Sequence, residues 1–166
     1  MFRVSSVLAA LIVAASFAFA EEVPISPQDD GFERDVQIAQ NVTEETRRNT
    51  VAANLPLTDS QGKAFWPVYL QYRAAVGEQN VRLAKLIDGY ARAYATMSED
   101  EAKELTHTYL DIDRKRLKLK EEYLKKFEKV LPAMLVARAM QTEQKLDAMQ
   151  AFTLARAIPL VPPADL

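Results

Sequence analysis

Hydrophobic residues recur at spacings of three and four over a long stretch of this chain, and that pattern constrains its fold most strongly. One heptad series consists of Phe65, Tyr72, Gln79, Leu86 and Ala93, and a second of Tyr69, Val76, Leu83, Tyr90 and Met97. Such spacings place side chains along the seam of a helix packed lengthwise against another helix. Only 4 glycines occur in 166 residues, which disfavours a turn-rich β architecture. The sequence therefore predicts an all-α protein.

A capping box marks the start of the first long helix. Thr58 is followed three residues later by Gln61. In this motif the threonine hydroxyl accepts from the amide of the third helical residue, and the glutamine side chain accepts from the amide of the cap. The helix is predicted to continue to about Thr96. Pro67 lies inside it and cannot donate to the carbonyl of Lys63, so a bend or a break is expected there.

A second long helix follows after a tight turn. Ser98 and Glu101 form another capping box, and the helix is predicted from Glu99 to about Lys129. One of its apolar stripes consists of Leu105, Tyr109, Ile112, Leu119, Tyr123 and Val130, and another of Leu110, Leu117, Leu124 and Leu131. Together they cover about half of the helix circumference, which is wider than contact with one partner requires. We therefore expect a long antiparallel hairpin on which a further helix packs.

That further helix begins near Pro132, a residue suited to a first helical turn. Its predicted apolar stripe consists of Leu135, Ala139, Thr142, Leu146 and Met149. The helix should end near Ile158, because the prolines of the C-terminal tail, residues 159–166, cannot continue it. With a short helix expected at 43–53, the helical domain spans residues 43–158. A three-helix monomer and a hairpin homodimer need the same stripes, so both remain open.

The N-terminus has the layout of a secretory signal peptide, assigned to residues 1–20. Arg3 precedes an apolar run that is too short for a comfortable membrane span, and Ala18-Phe19-Ala20 precedes Glu21. Cleavage after Ala20 would leave a soluble periplasmic protein without stable membrane insertion; the alternative is an uncleaved anchor. The chain has no cysteine, so neither a disulfide nor a lipidated N-terminus is expected.

Charge is distributed unevenly along the chain. Residues 21–59 contain nine acidic and three basic side chains. Residues 21–42 also lack apolar periodicity and are predicted to be a flexible acidic N-terminal arm, which is either a solvated tail or folds over the helical body. Nucleic acid is not an expected partner, because the formal net charge is -2 and no nucleic-acid-binding motif occurs.

Sequence motifs for catalysis are missing. The chain contains no glycine-rich phosphate loop, nucleophile elbow, cysteine nucleophile or zinc motif, so we expect neither enzymatic activity nor a cofactor. Glu104 and His107 have the Glu-x-x-His spacing of di-iron bundles, and Asp111 follows one turn later. A di-iron bundle needs a second such motif and two further carboxylates, so a metal-responsive sensor is the least favoured alternative.

An aromatic cluster around Pro67 is the first candidate binding surface. Phe65, Trp66 and Tyr69 surround the proline. They either fill the core beside a bend or form an apolar recess for a client segment or a partner helix, since tryptophan and tyrosine are favoured at binding surfaces.

A basic stretch of the second long helix is the other candidate. Arg114 lies in this stretch, and Arg116 and Lys120 interrupt the apolar side of the helix. Long cationic side chains beside apolar stripes form a surface that can hold acidic, partly unfolded chains loosely. The alternative is a solvated charged face.

The start of the first long helix resembles the LTxxQ motif of the periplasmic Spy/CpxP-like family. Leu57, Thr58 and Gln61 carry the match, within the segment LTDSQ. Residues 51–161 also resemble a group of exported proteobacterial helical proteins within or near that family. The resemblance implies an elongated antiparallel hairpin, often dimerised into a curved cradle, that acts as an ATP-independent chaperone or envelope-stress adaptor. Where those relatives commonly have a second LTxxQ copy, this chain reads VLPAM at 130–134.

These observations favour a non-enzymatic periplasmic protein that binds unfolded or partner proteins. Its expected surface combines Arg116, Lys120 and neighbouring basic residues with apolar patches near Trp66. The main alternative is a structural, self-associating envelope protein in which the wide apolar arc of the second helix is permanently buried. Exposure distinguishes the two, because a chaperone needs accessible apolar surface.

Overall fold

A computed structural model describes residues 44–163, which form four α-helices and one short 3₁₀ helix. The α-helices are α1 (Glu44–Asn54), α2 (Asp59–Ala93), α3 (Glu99–Phe127) and α4 (Ala133–Ala157), and the 3₁₀ helix is Tyr94–Thr96. No β-strand occurs between residues 44 and 163, so the predicted all-α fold is confirmed. The predicted signal peptide and acidic arm lie outside the described residues. Among the helices described, none is long and apolar enough to cross a membrane.

The helices α2 and α3 form the long hairpin, and both predicted capping boxes are present. The amide of Gln61 donates to the Thr58 hydroxyl at 3.3 Å, and the amide of Thr58 donates to the Gln61 side chain at 2.9 Å. Ser98 and Glu101 make the equivalent pair of bonds at the start of α3. These local hydrogen bonds fix the start of each long helix.

The proline inside α2 does not break the helix. The helix is continuous from Asp59 to Ala93 with Pro67 inside it, so the prediction of a break at this position is wrong. Pro67 itself is exposed, whereas Phe65 and Tyr69 on either side are buried. Burial of these two rings keeps the backbone helical on both sides of the proline, even though one backbone hydrogen bond is lost.

The core is concentrated at the end of the hairpin remote from the 3₁₀ turn. Aromatic rings of α2 and α3 meet there, with centroids 5.3 Å apart for Phe65 and Phe127 and 5.5 Å apart for Tyr72 and Tyr123. Further members of this cluster come from α1, the turns and α4: Val51, Leu55, Leu131, Val136 and Ala139. All four helices therefore contribute to one core at this end.

Two of the predicted apolar stripes differ from the observed faces. On α4 the core-facing residues are Val136, Ala139 and Glu143, whereas Met149 is exposed. The observed face differs from the predicted stripe because the carboxylate of Glu143 is buried, together with the partners described below. On α3, Leu110 and Leu117 are exposed, so the wide apolar arc is only partly covered in the single chain.

Candidate functional site

The structure separates the aromatic cluster into core and surface. Phe65 and Tyr69 are 0% and 1% exposed, which corrects their assignment to a binding surface, because neither side chain is accessible. Trp66 is half-buried and packs edge-on against both rings. It also lines a shallow cavity between α1 and α2 with Leu70 and Ala52. The core interpretation therefore holds for Phe65 and Tyr69, and only Trp66 reaches the surface.

An ion network with a buried centre joins the four helices and consists of Glu44, Arg47, Tyr69, Arg73, Lys120, Glu143 and Asp147. Glu143, which is 2% exposed, is its centre. One carboxylate oxygen accepts from Arg47 at 3.0 Å and from Arg73 at 2.9 Å, and the other accepts from the Tyr69 hydroxyl at 2.6 Å. Three cations face three carboxylates, so the burial cost of each charge is offset by direct partners.

Two outer carboxylates complete the network. Glu44 forms a two-pronged pair with Arg73, at 2.7 and 2.9 Å, and the Arg73 hydrogen bond lowers the pKa of Glu44. Asp147 accepts from Arg47 at 2.9 Å and from Lys120 at 2.8 Å. Burial alone would raise the pKa of Asp147, but the contacts with Lys120 and Arg47 outweigh it and the pKa is lowered. Both groups are therefore held ionised in the folded protein.

An open groove lies beside this network, between α2, α3 and α4. This α2–α3–α4 groove has a volume of about 650 Å³, and its apolar walls include Leu83, Ile87, Leu117 and Leu154. The Lys120–Asp147 ion pair forms part of one end. Near the other end, the Tyr90 hydroxyl donates to the carbonyl of Pro159 at 2.9 Å, which fixes the C-terminal segment beside the opening.

The three predicted basic residues have different environments. Arg116 and Lys120 both line the α2–α3–α4 groove, whereas Arg114 is exposed and does not line it. Arg116 donates to the side chain of Asn80, but its Nε is buried and lacks a hydrogen-bond partner among the residues described. Lys120 donates to the carboxylate of Asp147. Arg116 therefore keeps a partly exposed positive charge in the groove.

Sequence reasoning missed the buried network. Its members come from all four helices, and the pairs within it are separated by 27 to 100 residues along the chain. One local signal was available, because Glu143 follows Val136 and Ala139 at helical spacings of three and four. A carboxylate in register with an apolar stripe indicates a buried, paired charge.

The alternative metal residues do not form a site. Within residues 44–163, no group of three side chains is placed to hold a metal ion. His107 is exposed, and Asp111 pairs with Lys115 and Arg82, each at 2.8 Å. Hydrogen bonds from Lys115 and Arg82 lower the pKa of Asp111 to about 2. Asp111 is thus occupied by cationic side chains.

The network and the groove suit different tasks. The network is closed, because its charged groups already have partners, and it fixes the positions of the helices. The groove offers apolar walls, the partly exposed side chain of Arg116 and an opening to solvent, which suits a chain segment better than a small polar substrate. No family model, no curated protein and no solved structure matches this chain.

Proposed function

We propose that this protein is a non-enzymatic binding protein of the bacterial periplasm that holds apolar segments of other proteins in a chaperone-like or stress-adaptor role. The observation that carries the proposal is the open α2–α3–α4 groove in a chain whose aromatic core is already filled. Its position between three helices and its apolar walls match the way helical proteins bind amphipathic segments. The predicted signal peptide and the resemblance of LTDSQ to the LTxxQ motif support the same role.

Exposed apolar residues extend the proposed surface. Leu117 is 58% exposed and Tyr109 is 48% exposed, and both line the groove. Arg116 adds a positive charge beside them, which favours encounter with acidic segments. The surface is therefore suited to loose binding of chains that expose apolar and acidic residues together.

The test is suppression of aggregation of a denatured model protein, without ATP. We expect dose-dependent protection by the wild type and at least about a fivefold loss of potency in Leu117→Glu, because a charge in the groove opposes burial of apolar segments. Met134→Glu is the matched control, since Met134 is 83% exposed at the opposite end of α4. Lys120→Glu is unsuitable, because it would place a carboxylate against Asp147. Absence of protection at several-fold excess would contradict the proposal.

A structural, self-associating protein is the second candidate. Leu110 and Leu117 lie one heptad apart on α3 and are both half-exposed, so a second copy packed along α3 would bury them. Leu110 does not line the groove, which makes Leu110→Glu the informative variant. Sedimentation showing a dimer that Leu110→Glu dissociates, together with unchanged aggregation behaviour, would favour this second role.

A further inference from the structure

The helix α1 lies between α2 and α4 and is antiparallel to both. At its C-terminal end the carbonyl of Asn54 accepts from Arg138 of α4. Nearer its N-terminus, Arg47 contacts Asp147 and Gln150, later in α4. Glu44, the first residue of α1, pairs with Arg73 of α2. The chain therefore folds back after the short turn between the two helices, and α1 runs along α2 in the opposite direction. The N-terminus of α1 therefore points toward the C-terminal half of each neighbour.

The α2–α3–α4 groove lies beyond that N-terminus. Its α2 wall begins at Val76, three residues after Arg73, and includes Ile87, a distance of about 16 Å along the helix axis. Its α4 wall begins at Asp147 and Gln150, which also contact α1. The groove is thus the open continuation of the gap that α1 fills.

We propose that residues 32–43, which directly precede α1, dock in this groove as an intramolecular occupant. The twelve residues would span about 18 Å as a helix, which matches the α2 wall. Phe32, Val36, Ala39 and Val42 recur at spacings of four, three and three, so they share one apolar face. Glu33 and Asp35 are acidic, and Arg116, whose side chain is 26% exposed, supplies a positive charge in the groove lining.

The docked segment would compete with any external chain for the groove. A tethered segment has a high effective concentration, so external segments bind only by displacing it. The inference concerns contacts within one chain and goes beyond the proposed function, because it holds whether or not a client binds. Failure of the aggregation assay would leave it standing.

The test uses cysteine pairs, for which this cysteine-free chain provides a clean background. Ala39→Cys is combined with Ala155→Cys, an exposed position on the α4 wall of the groove. The matched control combines Ala39→Cys with Met149→Cys, an equally exposed class of position on the same helix (66% exposed) that does not line the groove. Tether lengths are nearly equal, so a random tail would link both positions at similar rates.

We expect an intrachain disulfide to form at least about tenfold faster with Cys at 155 than at 149 under mild oxidation, as seen by non-reducing electrophoresis and peptide mapping. Equal rates would overturn the inference, and so would links found only between two chains. Circular dichroism of the reduced variants checks folding. Ala151→Cys, one turn earlier on the same wall, provides a second pair, and slow linking of both groove positions would also overturn the inference.

Discussion

Glu143 is the residue on which the arrangement of the helices depends most. It is contacted by Arg47 of α1 and by Tyr69 and Arg73 of α2, while itself belonging to α4. Arg47 and Arg73 are 1% and 5% exposed, so water cannot replace the carboxylate. Removing one partner of a buried pair leaves an uncompensated charge, which costs more than the pair contributes.

Glu143→Gln should therefore destabilise the protein by about 3–5 kcal/mol. The glutamine keeps the shape of the side chain but leaves two buried guanidinium groups with one carboxylate fewer. The measurement is urea denaturation followed by circular dichroism. Glu122→Gln is the control, because it breaks only the exposed pair with Lys126 and should leave the midpoint nearly unchanged. Equal midpoints for the two variants would contradict the role assigned to Glu143.

The outer carboxylates predict how stability depends on pH. Glu44 and Asp147 have pKa values lowered from 4.5 and 3.8. The unfolded chain therefore binds protons first as the pH falls, so their contribution is fully present above about pH 5 and is lost at lower pH. We expect a falling urea midpoint below about pH 4.5 and a shallower fall in Asp147→Asn. The measurement is made at high salt, which screens the exposed Asp111 pairs. If the urea midpoint then falls equally steeply with pH in wild type and Asp147→Asn, this explanation is contradicted.

At the scale of elements, local signals predicted the helices well and their partners poorly. Capping boxes, heptad spacing and prolines act within a few residues, so the bounds of α2, α3 and α4 followed from the sequence within about three residues. The groove and the ion network did not, because both depend on which helices meet. The exposure of Leu110 and Leu117 likewise depends on where α4 lies, which no local pattern encodes.

Pro67 provides a test of how strongly packing constrains a helix. Pro67→Ala restores a donor for the carbonyl of Lys63 and removes a residue that is about 3 kcal/mol less favourable than alanine inside a helix. Because Pro67 is exposed, we expect stabilisation by about 1–3 kcal/mol in urea denaturation. A loss of stability would instead show that Phe65 and Tyr69 pack only around a backbone shaped by the proline.

At the scale of the whole molecule, packing is uneven along the hairpin. The aromatic core and the ion network occupy the end near α1, whereas the half near the 3₁₀ turn has few buried residues, including Ile87, Tyr90 and Ile112. A cavity of about 410 Å³ opens between α2 and α3 in that half, lined by Leu86, Tyr90 and Leu105 among others. Local stability should therefore fall toward the turn.

Hydrogen exchange measured by mass spectrometry tests this gradient. Amides of residues 90–105 should exchange at least about tenfold faster than those of residues 65–76 and 120–127, because opening the loosely packed half exposes little apolar surface. Exchange of the same peptides in the urea-unfolded protein controls for intrinsic exchange rates. Uniform protection along α2 and α3 would contradict the uneven packing.

The docking of α1 also determines an order of events during folding. Its 11 residues are too few for a stable isolated helix in water, and its bond to Glu143 closes a loop of 96 residues. The hairpin closes a much shorter loop and therefore loses less conformational entropy. We expect it to form before α1 docks. The segment of this domain that the ribosome makes earliest is then the one placed last, waiting unstructured until α4 has been synthesised.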